Sequence, residues 1–315
     1  MNKKFNIIII VVVIIVIIVA TIINQIKIKQ QEENSSENDK YYKDYMIEVE
    51  KKNNEINTYI EEAKKNTPVS EEPYIPEGFK YVEGDIKSGY VIEDENNNNN
   101  NNEYVWIPAT IKENLEYINL KRYNLSVNGI VGLNECIETS KDMENFINSV
   151  SKYNGYYVAR YEASYDENKK IESKKGKFPI TKISKDEAEK LAENIYQNKN
   201  IKTSLINSFS WDTMVKWIEK TNNYKEFFTK HEEDNDKELH FLEINIDKTG
   251  QNKVNNIYDL YGNAEELTTE MCQDTVVIRS ALNNEKKIMD MTSRITAFND
   301  NNNKNIGFRI ILYQN

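Results

Sequence analysis

Cysteine and histidine carry the most reactive side chains in proteins, and this chain has two of each. Cys136 and Cys272 lie far apart, and neither has a neighbour at the C-x-x-C spacing of structural zinc sites. They could form one disulfide if the chain folds outside the cytoplasm, and the sequence leaves that pairing open. His231 and His240 stand in a polar stretch, which favours exposed loop histidines over metal ligands.

The charge balance argues against a nucleic-acid partner. The 315 residues carry a formal net charge of −10, and the basic residues are mixed with a larger number of acidic ones. Binding to phosphates requires lysine and arginine clustered on one face. Lys169-Lys170 and Lys174-Lys175 are such clusters on a small scale, and we interpret them as part of a solvated loop.

The N-terminal segment is suited to a membrane. Residues 5–26 contain no charged side chain, and a helix of about 20 residues spans the roughly 30 Å hydrocarbon layer of a bilayer. A cleaved signal peptide would have a shorter apolar region and a small-x-small cleavage site, and Ala20 is the only small apolar residue nearby. We therefore predict an uncleaved transmembrane helix at 5–26, preceded by a cytoplasmic tip at 1–4.

The orientation of this anchor rests on weak signals. Lys3 and Lys4 precede the span and Lys27 and Lys29 follow it. Because the two sides carry equal numbers of lysines, the positive-inside rule does not decide the orientation. The free amino terminus and the acidic residues after the span favour an N-inside orientation. We expect a single-pass protein of the cell membrane with most of its chain extracytoplasmic.

Residues 27–73 are predicted to form a polar linker and a helical stalk. Tyr42, Val49, Ile56 and Ala63 recur every seven residues. This spacing fits either a weak coiled coil, through which the chain would form an oligomer, or a spacer helix with one apolar stripe. Both readings remain open from the sequence.

Residues 74–315 form the predicted folded domain. Strands are expected at 81–82, 90–92, 104–108, 155–162 and 307–313, with the run of asparagines at 96–102 in a hairpin turn. Helices are expected over 140–152, after a capping box that begins at Ser184, and after a cap at Ser210. Strands at both ends with helices between them indicate an α+β domain.

Four segments of this domain resemble, in order, the formylglycine-generating, sulfatase-modifying-factor family. They read Y-Y-V-A-R-Y-E-A, W-D-T-M-V-K-W-I, Y-D-L-Y-G-N-A-E-E-L-T and I-G-F-R-I-I-L-Y. The hallmark of the family reads roughly D-L-x-G-N-V-x-E-W, and a G-F-R strand ends its domain. The resemblance covers residues 74–315 and implies a C-type lectin-like fold. Its opening, I-P-E-G-F-K-Y-V-E-G with V-W-I-P after the asparagine run, is similar to low-GC Gram-positive members.

The chain departs from the family where the family's chemistry takes place. Members that oxidise cysteine to formylglycine bind copper through two cysteines between an R-G-G-S segment and the terminal G-F-R. The corresponding stretch runs from Arg279-Ser280-Ala281 to Gly307 and contains no cysteine. Copper(I) needs soft sulfur ligands, so we expect no copper and no catalytic residues of this type.

One family feature carries over as an expectation. The resemblance implies a structural calcium site, with side-chain oxygens from Asp259 and Glu266 and backbone carbonyls from Gly262 and Ala264. Calcium takes about six to eight oxygen ligands, which a tight turn can supply. The alternative is a Gly-Asn turn in which Glu266 is paired with an arginine such as Arg294 or Arg309.

The sequence leaves two candidate functions for this chain. The first is an extracytoplasmic binding or structural module, with an unidentified surface ligand or protein as partner, that uses a catalytically degenerate family domain. The second is an enzyme of the same family, with formylglycine-generating or related oxidase activity. The sequence contains no evident nucleophile–base pair, which favours the first.

Overall fold

The computed structural model describes residues 27, 29, 37–95, 101–112, 117–123, 136–139, 141–196, 200–221, 246–279, 283–284, 287–288, 291–302 and 304–314. The chain divides into two compact units, Met1–Glu48 and Val49–Asn315. The second unit is mixed α/β and contains mainly antiparallel sheets. The asparagines at 96–100 and both histidines lie outside the described residues.

A seven-stranded sheet forms the centre of the second unit. Its strands run in the order β1-β2-β3-β6-β18-β9, and β4 pairs with β3 at the side. The bounds are β1 (Phe79–Glu83), β2 (Val91–Asp94), β3 (Glu103–Thr110), β4 (Ile118–Asn119), β6 (Gly155–Ala159), β9 (Ile201–Leu205) and β18 (Ile310–Gln314). All of its pairings are antiparallel except that between β3 and β4. The C-terminal strand therefore lies inside the sheet, between β6 and β9.

The central strands β3, β6 and β18 are buried on both faces, which explains why their residues are largely apolar without alternation. Side chains of successive strand residues point to opposite faces. In β3, Val105, Ile107 and Ala109 belong to one apolar core, whereas Tyr104 and Trp106 belong to another. The sheet thus separates two cores.

A second sheet of five strands packs on one of these cores. Its order is β16-β13-β12-β17, and β5 pairs with β12. The bounds are β5 (Ile137–Glu138), β12 (Glu265–Cys272), β13 (Thr275–Arg279), β16 (Ile295–Phe298) and β17 (Ile306–Phe308). Among its described pairings, only that between β12 and β17 is parallel.

Helices cover the sheets, and three hairpins complete the described elements. The helices are α1 (residues 37–63), α2 (Met143–Tyr153), α3 (Lys185–Glu193) and α4 (Ser208–Thr221). The hairpins pair β7 (Ala163–Tyr165) with β8 (Ile171–Ser173), β10 (Lys253–Val254) with β11 (Ile257–Tyr258), and β14 (Asn283–Asn284) with β15 (Lys287–Ile288). The apolar stripes predicted for α2 and α4 are buried, as their helical spacing requires.

The C-terminal part of α1 belongs to the second unit and packs into its core. Val49, Ile56 and Ala63 are 2–4% exposed, and Ile56 and Ala63 lie in the same apolar cluster as α2 and α4. The heptad stripe thus contacts this chain's own core over that part. The compact unit begins upstream of residue 74, where the sequence placed the domain boundary.

The fold prediction was wrong in its transmembrane helix. Among the described residues, no helix combines the length and the apolar character needed to cross a bilayer. The predicted span at 5–26 lies outside the described residues, so the structure gives it no support. The apolar run alone carried that prediction, and no described contact bears on it.

Two local predictions also need correction. The helix α4 begins at Ser208, and Asn207 accepts a hydrogen bond from the Ser210 N–H at 2.8 Å, so Asn207 rather than Ser210 provides the cap. The predicted closing strand is divided into β17 and β18, which lie in different sheets. By contrast, the Ser184–Glu187 capping box is confirmed, with both of its reciprocal hydrogen bonds present.

Candidate functional site

The residues predicted to bind calcium lie at the junction between β11 and β12. Asp259 follows β11 directly, Gly262 and Ala264 lie in the connecting turn, and Glu266 is the second residue of β12. Gly262 has a φ of +88°, which a residue with a side chain adopts at a cost. All of them except Gly262 are buried.

The carboxylate of Asp259 organises the preceding loop. It accepts hydrogen bonds from the backbone N–H groups of Gln251 and Asn252, both at 3.0 Å, and from that of Gly250. Asp259 is buried, and its carboxylate is the partner of three backbone donors of this loop. Both of its oxygens are therefore engaged by the chain itself.

The carboxylate of Glu266 is paired with Arg309, one of the two arginines considered as its alternative partner. The Arg309 Nε donates to the two oxygens of Glu266 at 3.0 and 3.1 Å, and its Nη2 donates at 2.6 Å. Arg309 also donates to the carbonyls of Ala159 at 3.0 Å and Tyr258 at 2.8 Å. Burial disfavours the charge of Arg309, but the Glu266 carboxylate outweighs it and raises the pKa of Arg309.

Glu162 completes this buried cluster, and the sequence reasoning did not single it out. Its carboxylate accepts hydrogen bonds from the Asn263 side chain at 2.5 Å and from the Ala264 N–H at 3.0 Å. Burial, followed by the charge of Glu266, raises the pKa of Glu162 well above its usual range. Glu162 lies in the first of the four segments that carry the family resemblance, and this was the available signal.

The calcium site stays a prediction. Within the described part of the chain, no three histidine, cysteine or acidic side chains are grouped so that they could hold a metal ion. A calcium ion bound to Glu266 would compete with Arg309 for the same carboxylate oxygens. The four predicted calcium ligands lie close together in the chain. The cationic group beside them is the guanidinium of Arg309.

A second buried ionic cluster lies between α4 and the five-stranded sheet. Asp212 of α4 accepts from Arg279 at 2.5 Å and from Arg122 at 3.1 Å. Glu270 of β12 accepts from Arg122 at 2.9 Å and from Arg294 at 3.2 Å. Burial opposes ionisation of Glu270, but Arg122 and Arg294 outweigh it and hold its pKa at about 2.

Glu138 of β5 lies beside this cluster. It pairs in register with Glu270 and accepts hydrogen bonds from the Ser208 N–H at 3.0 Å and from the Thr269 hydroxyl. Burial, followed by the charge of Glu270, raises the pKa of Glu138 to about 7. The two neighbouring carboxyl groups therefore ionise at very different pH values, because burial dominates for Glu138 whereas the charges of Arg122 and Arg294 dominate for Glu270.

The two cysteines form a disulfide, which resolves the pairing that the sequence left open. Their α-carbons are 4.3 Å apart, well within the limit of about 7 Å for a bridge. The bond joins Cys136, directly before β5, to Cys272 at the end of β12, and both residues are buried. Both cysteines of the chain are thereby bound to each other in the folded state.

A groove of about 580 Å³ opens on the surface beside the loop between β1 and β2. Tyr81 and Tyr90 line it, with ring centroids 4.9 Å apart, and Tyr81 is 49% exposed. Glu72 and Lys87 place charges of both signs at the same groove. Of these side chains, the tyrosines are the type that is enriched at contact surfaces.

Hydrogen bonds and a close backbone approach define the conformation of the β1–β2 loop. The Asp85 carboxylate accepts from the N–H groups of Lys87 at 2.8 Å and Ser88 at 2.7 Å. Gly84 has a φ of +84°, and a Cβ there would lie 2.0 Å from the Gly89 carbonyl oxygen. These contacts support one wall of the groove, and a groove that is shaped before binding lowers the entropic cost of binding a ligand.

Comparisons with known proteins do not assign this chain to a family. No protein-family model, no curated protein and no solved structure matches it.

Proposed function

We propose that this chain is an extracytoplasmic binding module. In this proposal its domain is related to the formylglycine-generating, sulfatase-modifying-factor family but lacks the thiols on which the family's oxidation depends. The unidentified ligand is a molecule or protein of the cell surface. Catalysis plays no part in its role.

The observation that carries this proposal is the Cys136–Cys272 disulfide. Disulfides form and persist in oxidising environments and are rare in the cytoplasm, which supports a location outside it. Copper binding and thiol oxidation both require thiolates. The bridge occupies both of the chain's cysteines, and this supports a role other than oxidation.

The groove at Tyr81 and Tyr90 supports the binding role. Its two tyrosine rings lie 4.9 Å apart between centroids, and Tyr81 is 49% exposed to solvent. Aromatic side chains with two rotatable bonds provide contact area at a low entropic cost. A binding module needs such a preformed surface, whereas a buried ionic cluster cannot contact a large ligand.

The alternative is an enzyme of the same family, and one observation favours it. Reduction of the bridge would leave two thiols whose α-carbons are 4.3 Å apart, and two adjacent thiolates are suitable ligands for copper(I). These thiols lie outside the sequence positions that the family uses. Their burial, at 2% and 7% exposure, argues against access by a peptide substrate.

An assay for formylglycine separates the two functions. The full chain is incubated with oxygen, copper and a Cys-x-Pro-x-Arg peptide, before and after reduction, and the peptide is analysed by mass spectrometry. We expect no conversion beside an active control enzyme. Conversion that disappears in the Cys136→Ser/Cys272→Ser variant would establish the enzyme and reject the binding module.

Binding itself is tested by co-sedimentation with cell-wall fragments from low-GC Gram-positive bacteria. We expect the chain to sediment with them and Tyr81→Ala to weaken this binding by about tenfold or more, since aromatic anchors dominate interface energies. Tyr165→Ala is the matched control, because Tyr165 is similarly exposed at 43% but does not line the groove. Equal sedimentation of the two variants would exclude the groove as the binding surface.

A further inference from the structure

The turn that follows β8, residues 174–178, combines lysines with an exposed aromatic ring, and we call it the lysine turn. Its lysines are Lys174, Lys175 and Lys177. Gly176 has a φ of +78°, and a Cβ there would meet no atom within 4 Å, so this part of the turn faces open space. Phe178 is 61% exposed. A large apolar side chain therefore stands in solvent directly beside cationic ones.

The buried Thr249 positions the lysine turn from a distant part of the chain. Its N–H donates to the Lys177 carbonyl at 2.8 Å, and its own carbonyl accepts from the Gly176 N–H at 2.9 Å. Its hydroxyl donates to the Lys174 carbonyl. Because Thr249 is 1% exposed, these hydrogen bonds attach the exposed turn to the interior of the domain.

The pairing with Thr249 brings a fourth lysine to the lysine turn. Lys248 is exposed, and its ammonium lies 5.6 Å from the centre of the Phe178 ring. The ammonium of Lys175 lies 5.5 Å from the centre of the half-buried Tyr258 ring. Aromatic faces attract cations, and neither of these two ammonium groups pairs with a carboxylate among the residues that the structure describes. Both charges are available to a partner.

Two acidic side chains contact the four lysines and leave them with an excess of positive charge. Glu172 is 2% exposed, and its carboxylate lies 3.8 Å from the ammonium of Lys174 and 3.2 Å from that of Lys177. Asp247 is exposed and accepts a hydrogen bond from the backbone N–H of Lys248. Four lysines against two acids leave two positive charges in this cluster, on a chain whose net charge is −10. The cluster therefore attracts an anionic partner that most of the chain repels.

We infer that the lysine turn, together with Lys248, docks the domain on an anionic lipid surface. Lysines beside such a surface are attracted to its acidic headgroups, and their apolar stems lie along the boundary while the ammonium groups stay in water. An aromatic ring among lysines inserts at the level of the upper acyl chains. A phosphate polymer would satisfy the lysines alone, and the exposure of Phe178 is the observation that favours a bilayer. None of these residues lines the groove, so this surface does not depend on the proposed function.

The test reads position 178 itself, because the apolar run at 5–26 is long enough to bind lipid independently of the turn. Phe178→Trp places a fluorescent reporter there, and the three native tryptophans are at most 2% exposed and give a constant background. We expect the emission of this full-length variant to shift to the blue, and to be quenched by brominated acyl chains, when vesicles of phosphatidylcholine and phosphatidylglycerol are added. No shift, or an equal shift with phosphatidylcholine alone, would overturn the proposal.

The matched control is Phe298→Trp. Phe298 is 80% exposed and lies on β16, in the other sheet. We expect no shift at this position with either kind of vesicle. Equal shifts at positions 178 and 298 would show adsorption without a defined contact and would reject the lysine turn as the docking surface.

Removal of charge tests the role of the lysines. In the Phe178→Trp chain, Lys175→Gln/Lys248→Gln should raise the lipid concentration that gives half of the shift at least tenfold, because each lysine near an anionic surface contributes about fivefold. Lys202→Gln/Lys220→Gln removes two exposed lysines of β9 and α4, and it should change this concentration by less than about twofold, since salt screens distant charges. Equal effects of the two double substitutions would contradict the proposal.

Soluble polyphosphate distinguishes a bilayer from a phosphate polymer. It carries repeated negative charge without acyl chains, so we expect it to leave the emission of the Phe178→Trp chain unshifted. A blue shift with polyphosphate equal to that with the anionic vesicles would assign the lysine turn to a soluble polyanion and reject the lipid surface.

Discussion

At the scale of single residues, Arg309 shows how one side chain joins distant parts of the fold. It lies between β17 and β18, the point where the chain leaves one sheet for the other. From there its guanidinium reaches Glu266 in β12 and the carbonyls of β6 and β11. Removing one partner of a buried ion pair costs about 3–5 kcal/mol, because the other charge is left uncompensated.

The calcium prediction has a test at this same scale. If calcium binds at Asp259, Gly262, Ala264 and Glu266, adding it raises the melting temperature of the chain, and Asp259→Asn abolishes the rise. The competing arrangement, in which Arg309 is the cation of the site, predicts no response to calcium or to chelator. Differential scanning calorimetry with calcium and with EGTA separates the two. Magnesium is the matched control, since it demands a tighter geometry.

At the scale of elements, the N-terminal and C-terminal parts of helix α1 differ in their exposure to solvent. Ile56 is 4% exposed and belongs to the core of the second unit, whereas Ile47 is 59% exposed. The seven-residue spacing does not distinguish these environments, because the same apolar stripe can face a partner helix or a domain. A fragment that begins after α1 would therefore lose part of its core.

Two matched substitutions in α1 measure this packing. We expect Ile56→Ala to lower the free energy of unfolding by about 2–5 kcal/mol through the loss of buried methylene groups and the cavity left behind. Ile47→Ala should change it by less than about 0.5 kcal/mol, as exposed positions usually do. Urea unfolding of the two variants provides the values. Equal effects would show that the stripe does not pack on the domain in solution.

The disulfide links two other elements, β5 and β12, whose pairing is short. It closes a loop with a sequence separation of 136 residues. We expect reduction, or Cys136→Ser/Cys272→Ser, to lower the free energy of unfolding by about 2–5 kcal/mol, largely because the unfolded chain gains freedom. Urea unfolding with and without reductant measures the change. Two titratable thiols in the unreduced protein would contradict the bridge.

At the scale of the whole molecule, buried carboxyl groups set how stability depends on pH. Glu270 has a pKa of about 2 in the folded state, below its ordinary value of 4.5, so its contribution is present above pH 4.5 and is lost as the pH falls towards 2. Burial raises the pKa of Glu265 to about 7, and the pKa of Glu138 is raised to the same value. These two residues destabilise the fold increasingly as the pH rises from 4.5 to 7, because ionisation then favours the unfolded chain.

We therefore expect maximal stability near pH 5 and a decline on both sides. Glu265→Gln removes one of the groups responsible for the decline at high pH, and relative to the unmodified chain it should gain about 1–3 kcal/mol between pH 5 and pH 8. Thermal unfolding from pH 3 to 8 measures this profile. Glu144→Gln, at an exposed position, is the control. A glutamine variant with the same profile as the unmodified chain would show that Glu265 stays protonated or solvated throughout this range.

The sequence by itself determined those features that depend on local periodicity and local hydrogen bonding. The stripes of α2 and α4, the capping box at Ser184 and the strands around Trp106 and Tyr157 follow from side-chain spacing and short-range contacts. The turn at Gly262 likewise follows from residue type. The apolar run at 5–26 predicted a membrane helix by the same local reasoning, which no described contact supports.

Only the tertiary structure decided which distant groups meet. Cys136 and Cys272 are joined across 136 positions of sequence, and Glu266 pairs with Arg309 rather than with Arg294. Neither result follows from spacing, because sheet order and the division of the last strand into β17 and β18 place these side chains together. The partners of Asp212 belong to the same class, because Arg122 and Arg279 reach it from 90 and 67 positions away. Which charge a buried group meets is decided only when the sheets and helices bring distant segments together.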